Sequence, residues 1–348
     1  MTAADSVRLE IAAKTDLGRT RDHNEDTFLC ADLTLGTTDF LANGQADVGP
    51  RGSLFLVADG MGGAAAGEIA SAMAAEVIFQ ELRQSWAATE ATTPDEFIRQ
   101  IKAAVEVANT RIHQYATEHP DSRGMGTTAT VVGLFGGRLH LAQVGDSRAY
   151  LVRLNRTVQL TKDQSLIQRL IDAGELTEEQ AAQSERRNII LQALGPDARI
   201  RVDVTYQDLA KGDILVLCSD GLSGQLKRDE IGTIVASATT VDAACDALIA
   251  TANERGGPDN ITAVVVRFEG NGLPEPNDDD LGYHSYPLPE LEISGDNPVA
   301  APTPAALPPG PDPVSPIQRP RSGSPVVMAA IGVGVLLVLL LLFILLAS

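Results

Sequence analysis

The sequence predicts an α+β domain in which two packed antiparallel sheets form a central sandwich with helices on the outside. Two observations predict it. Apolar, β-branched runs recur at 53–58, 128–134, 139–144, 149–153, 214–218 and 261–268, and an earlier one lies at 27–31. The middle runs are only a few residues apart, with a Gly136-Gly137 turn between two of them, so they read as hairpins and antiparallel pairs, not as alternating strand and helix. Helical periodicity is clear over 67–86, where Ile69, Met73, Val77 and Leu82 mark one face. It recurs over 95–117 behind the start signal Thr93-Pro94, and shorter helices fit 164–173, 177–184 and 241–254. Long helices beside hairpin strands must cover sheet faces, which gives layers.

The chain has 348 residues, room for one large domain or two ordinary ones, and 44% of them are apolar. Aromatics are only 4%, so Ala, Val and Leu carry most of the packing. With 27 basic against 46 acidic residues the formal net charge is −19, which argues against a nucleic-acid surface. Acidic residues can still hold divalent cations that present positive charge to a phosphoryl group. Cys30, Cys218 and Cys245 are odd in number and far apart, so neither a disulfide framework nor a Cys-rich zinc site is expected, and the compartment reads as a reducing cytosol.

The folded domain is expected over 6–268. Residues 269–318 contain nine Asp/Glu and no Lys or Arg, and 14 of the 19 prolines fall between Pro274 and Pro325. Such a segment buries too little apolar surface to offset its ordering entropy, so 269–325 reads as an extended, solvated linker. Residues 326–347 are 22 uncharged residues rich in Leu, Val and Ile. At about 1.5 Å per residue they span roughly 33 Å, enough for the hydrocarbon layer, so one C-terminal transmembrane helix is expected. Arg319 and Arg321 precede the span, so the folded domain is expected in the cytoplasm, in a single-pass, C-terminally anchored protein.

Chemistry is written at strand ends. One strand runs into Asp59-Gly60-Met61-Gly62-Gly63 and another into Ser219-Asp220-Gly221. Gly257-Pro258-Asp259-Asn260 stands just before the last strand, and Asn24-Glu25-Asp26 before an early one. A carboxylate at a strand exit is held by rigid backbone, and the next glycine lets a carbonyl oxygen approach a ligand. Singly, Asp-Gly is an ordinary turn. Together the four loops offer the carboxylate and carbonyl oxygens that hard divalent cations require.

Arg21-x-x-Asn24-Glu25-Asp26, Asp59-Gly60-Met61-Gly62-Gly63, Gly124-Met125-Gly126-Thr127-Thr128, Gly145-Asp146-Ser147-Arg148, Ser219-Asp220-Gly221 and Gly257-Pro258-Asp259-Asn260 follow one another in an order that resembles the metal-dependent protein phosphatases of type 2C, in their bacterial serine/threonine branch. The resemblance covers nearly the whole expected domain, and the family's β-sandwich flanked by helix pairs agrees with the reading above. It implies that Asp59 bridges two Mn or Mg ions, with the Gly60 carbonyl on the first and Asp220 and Asp259 on the second. It implies that Glu25 and Asp26 act largely through metal waters, and that Arg21 clamps the substrate phosphate. A third ion would use Asp121. Two ions sharing a carboxylate lower the pKa of a bridging water from ~15.7 towards ~7, so that it attacks phosphorus with no covalent enzyme intermediate. The implied activity is hydrolysis of phosphoserine and phosphothreonine in proteins, reversing serine/threonine kinase signalling at the membrane.

Some positions depart from that pattern or add to it. Many eukaryotic relatives carry histidine where Met61 stands, so the general acid is open, with a metal-bound water as one candidate. His23 reads as structural or exposed, and Asp146 as fixing the turn after its strand without being a ligand. Residues 164–187, from Gln164 to Arg187, resemble the mobile flap beside the active site of bacterial members. Arg186 and Arg187 there could meet acidic flanks of a phosphopeptide. The Gly-rich stretch from Leu33 to Gly52 is longer than a hairpin needs and has no functional account.

Overall fold

In a computed structural model the strand runs pair into two antiparallel sheets. The structure describes residues 6–288, apart from 39–43, 63–65, 91, 178–179, 182–183, 185, 187–188 and 279. In chain order the strands are β1 (Arg8–Asp16), β2 (Asp26–Asp32), β3 (Gln45–Asp47), β4 (Ser53–Met61), β5 (Gly126–Thr127), β6 (Ala129–Phe135), β7 (Arg138–Val144), β8 (Arg148–Arg153), β9 (Arg156–Gln159), β10 (Asp203–Asp208), β11 (Ile214–Cys218), β12 (Ile261–Glu269) and β13 (His284–Ser285). One sheet has the order β3-β1-β12-β11-β8-β9 and the other β13-β10-β7-β6-β4-β2, with β5 pairing the end of β4.

Alternation within the strands assigns the layers. In β4, Phe55 and Val57 join Val132, Leu141, Leu215, Leu217, Val264 and Val266 in the core between the sheets, while Leu54, Leu56 and Ala58 point the other way. Those outward residues meet α1 (Ala66–Ala88) and α2 (Pro94–Glu118), through Ile78, Leu82, Phe97 and Ile101. On the opposite sheet Val216, Ala263 and Val265 meet α5 (Arg228–Ser237) and α6 (Val241–Glu254), through Ile231, Val235 and Leu248. The remaining helices are α3 (Leu166–Asp172) and α4 (Asp220–Ser223). The order of layers is helices, sheet, sheet, helices, as expected. Thr93 caps α2 by accepting from the Glu96 amide at 3.2 Å, with Pro94 at the first helical position.

The structure adds several elements to the sequence reading, β9, β10 and α4 among them, and three additions matter most. β1 pairs β12 along all nine residues from Arg8↔Glu269 to Asp16↔Ile261, and buries Leu9 and Ile11 between charged neighbours. The stretch from Leu33 to Gly52 leaves one sheet, lays β3 against β1 at the edge of the other, and returns. Its length is the length of that crossing, and Arg51 closes it by donating to the Trp86 and Thr89 carbonyls at 2.9 and 3.0 Å. α5 had no sequence counterpart.

The boundary at 268 is corrected. Residues 269–288 pack on the sandwich: β13 pairs β10, Leu273 and Tyr286 are buried, and the Tyr286 hydroxyl donates to Asp95. Acid and proline content misled because the backbone carbonyls of this strap are taken by Arg153, Arg156 and Gln207. Among the described residues no helix is long and apolar enough to cross a membrane. The rest of the expected linker and the expected span at 326–347 lie outside the described residues.

Candidate active site

Antiparallel pairing gathers the acidic loops at one end of the sandwich. β4 carries Asp59 near its end there and β11 ends two residues before Asp220, while β2, β8 and β12 begin there, just at or after Asp26, Asp146 and Asp259. Asp26 and Asp59 are direct partners across β2 and β4. Two glycines let the loops touch. A Cβ on Gly60 would lie 2.2 Å from the Gly67 carbonyl oxygen and 2.6 Å from that of Glu25. One on Gly221 would lie 2.0 Å from the Asn260 carbonyl oxygen. Neither position has room for a side chain.

Each carboxylate has its own setting. Asp26 is buried, and its Oδ2 accepts from Ser219 Oγ at 2.7 Å and Thr262 Oγ1 at 2.6 Å. Asp59, Asp220 and Asp259 keep part of their surface open. The backbone of Asp59 is clamped by Thr128, whose Oγ1 accepts from the Asp59 amide and whose amide donates to the Asp59 carbonyl, both at 2.9 Å. Asn260 ties the loops together: its Oδ1 accepts from the Glu25 amide at 2.8 Å, and its Nδ2 donates to the Leu17 and His23 carbonyls. His23 thus serves through its backbone. Arg21 stands at the rim, donating through Nη2 to Asp259 Oδ2 at 2.6 Å, while Asp259 Oδ1 accepts from the Asn260 amide.

The electrostatics are unbalanced. Burial first, and the neighbouring carboxylates next, push Asp59 well above the usual carboxylate range. Burial opposes ionisation of Asp220 in the same direction, with Asp259 adding to it, and Asp26 is pushed up to about 7 despite its two hydroxyl donors. Glu25 is raised by burial as well. Arg21 is engaged by Asp259, and Arg148, the next guanidinium, is held by Asp163 at 2.7 Å. A partly buried group of carboxylates with so little positive charge fits a site for hard cations, since buried charges are paired or coordinate metals. Among the described residues no three His, Cys, Asp or Glu side chains already form a metal-binding group. Both oxygens of Asp259 are hydrogen-bonded within the protein.

Asp121 is exposed in a 3₁₀ turn, Pro120–Ser122, and among the described residues no hydrogen bond or ion pair joins it to the cluster. Met61 pairs with Gly126 across β4 and β5. Gln164, where the expected flap begins, is anchored to the loop before β8: its amide donates to the Gly145 carbonyl at 2.9 Å, and its Oε1 accepts from the Gly145 amide at 3.0 Å. The helix expected over 164–173 starts later, at Leu166, because Ser165 caps it. Thr177 and Gln180 make a reciprocal cap where the next one was expected, but half of that stretch lies outside the described residues. Arg186 is exposed, and Arg187 lies outside them.

At Asp146 the side chain hydrogen-bonds its own backbone, while Oδ1 is left without a partner. The same turn is also braced by Gln143, whose Nε2 donates to the Gly145 and Ser147 carbonyls. Ser219, Thr262 and Asn260 were missed as supports. The signal for them was the polar residue beside each acid, in Ser219-Asp220 and Asp259-Asn260-Ile261-Thr262.

A helix-covered double sheet with carboxylates converging at one end defines a class, and the sequence profile of the protein phosphatase 2C family matches residues 37–263. The chain belongs to that family. It is 35% identical over 254 residues to the serine/threonine phosphatase stp of Listeria monocytogenes, covering 73% of this chain and 93% of that protein. The crystal structure of the Mycobacterium tuberculosis serine/threonine phosphatase PstP/Ppp superposes with a TM-score of 0.64 at 33% identity, over 75% of this chain and 99% of that one. A structure of the PstP catalytic domain in complex with two manganese ions matches with a TM-score of 0.61 at 32% identity, covering 76% and 99%.

Proposed function

We propose that the protein hydrolyses phosphoserine and phosphothreonine in proteins with Mn or Mg at the acidic end of the sandwich. The observation that carries the reading is the convergence of Asp59, Asp220 and Asp259 beside Arg21, with burial opposing the ionised state of the first two. Asp59 and the Gly60 carbonyl would hold one ion, and Asp59, Asp220 and Asp259 the other. Glu25 and Asp26 would hold the surrounding waters, Asp26 through the oxygen that Ser219 and Thr262 leave uncommitted. Bound there, the pair supplies Lewis-acid charge and makes a water nucleophilic at neutral pH.

The chain's own groups do the rest. Arg21 spends one nitrogen on Asp259, and a guanidinium has five N–H donors, so donors remain for the phosphoryl oxygens. Thr128 fixes the Asp59 backbone, from which the carboxylate is presented. No cysteine serves as nucleophile, because Cys30, Cys218 and Cys245 are all buried and burial raises each thiol. A third ion at Asp121 requires the turn at Pro120–Ser122 to approach Asp220. The segment from Gln164 onward would border the substrate as a flap, with Arg186 and Arg187 meeting acidic residues of the phosphopeptide.

The hydropathy of 326–347 supports anchoring of this domain at a membrane's cytoplasmic face, where it would oppose serine/threonine kinases at raised effective concentration. The purified protein should release phosphate from a phosphothreonine peptide with Mn, lose this to chelator, and regain it on Mn addition. Activity that survives chelation removes the reading. Deleting 326–348 should move the protein from the membrane fraction to the soluble one, and unchanged partitioning removes the anchor.

A further inference from the structure

Asp146 is 6% exposed, and its Oδ1 is buried without a hydrogen-bond partner. A buried carboxylate oxygen left so costs free energy, and its own turn does not use it. β8 and β11 run antiparallel with Arg148 opposite Cys218. Asp146 lies two residues before that pair and Asp220 two residues after it, on the same end of the two strands, and Asp220 is the foremost charge acting on Asp146. On the other side, Ser147 Oγ is 2.8 Å from Thr128 Oγ1, the hydroxyl that accepts from the Asp59 amide. Asp146 therefore stands between the exits that carry Asp59 and Asp220, and both acids bear on it electrostatically. Arg148 turns to Asp163 and Tyr150 instead of pairing with Asp146.

We infer that Asp146 is a positioning residue for the divalent cations, its unpartnered oxygen accepting from the ions' hydration shell between Asp59 and Asp220. This rests on the metal-dependent reading above. Because Gln164 grips Gly145 from both sides, the same residue ties the ions to the base of the flap. Carboxylates that orient a metal's surroundings typically matter by 10–100-fold in affinity. In the metal-free protein the same group only adds repulsion.

Asp146→Asn keeps the shape and removes the charge. Calorimetric titration with Mn should show wild type binding, Asp59→Asn losing the site, and Asp146→Asn binding about tenfold or more weaker. Without metal, Asp146→Asn should melt at a higher temperature than wild type, whereas loss of a structural contact would lower it. Mn affinity within twofold of wild type overturns the inference, as does a lower metal-free melting temperature. If wild type binds no Mn, the metal-dependent reading falls and takes the inference with it.

Discussion

Asp26 and Asp59 face one another across two strands, and what each touches separates their work. Asp26 commits one oxygen to Ser219 and Thr262 and is sealed in, while Asp59 keeps an open surface at the strand exit. Arg21 is half exposed and holds Asp259. A charge-assisted hydrogen bond to a phosphoryl oxygen is worth about 1.5–3 kcal/mol. Arg21→Ala should therefore raise KM for a phosphopeptide about tenfold or more, with kcat falling less. Steady-state kinetics on one peptide checks this, and an unchanged KM with collapsed kcat would reassign the residue to the chemical step. At this scale the acids were legible because each sits beside a glycine or at a strand end. Their supports were harder to read: a polar residue beside an acid marks a candidate, but not which carboxylate its hydroxyl will meet, and Ser219 meets Asp26 more than 190 positions away.

Among the elements, the sheet covered by α1 and α2 holds an unusual group. His140 on β7 is buried with neither ring nitrogen hydrogen-bonded, edge-on to Phe97 and beside Tyr286. Burial, with Arg138 adding, lowers its pKa from 6.5 to about 4. As pH falls through 6.5 the unfolded chain takes up a proton that the folded one refuses until about 4, so stability is lost across that window. The loss amounts to roughly 3 kcal/mol. Denaturant unfolding of wild type and His140→Phe from pH 7.5 to 4.5 should show their difference moving in favour of the variant as pH falls. A constant difference would mean the ring takes up its proton equally in the folded and the unfolded chain. The strands at 53–58, 128–134 and 214–218 were legible because both faces of each are buried, giving continuous apolar runs. β1 was not, because its buried Leu9 and Ile11 alternate with Arg8, Glu10 and Lys14 at Ala-rich spacing. α5 escaped for a related reason: only Ile231, Gly232 and Val235 of its ten residues are buried.

For the molecule as a whole, the strap at 269–288 extends the folded body past the point where composition placed its end. It covers Tyr206 and His140 with Tyr286 and adds a strand to β10. A chain ending at 268 should unfold at a lower temperature than one ending at 288, by thermal melting under one condition; equal midpoints would mean the strap contributes no stability. Fold class and the converging acids were readable from order and spacing, whereas the edges of the domain depended on a few apolar residues in an acidic, proline-rich context. The central claim is that Asp59 organises cations for hydrolysis at the acidic end. It is tested most directly by phosphate release from a phosphothreonine peptide with Mn, comparing wild type with Asp59→Asn. The account predicts turnover in wild type and none in the folded variant. Equal turnover in the two would contradict it.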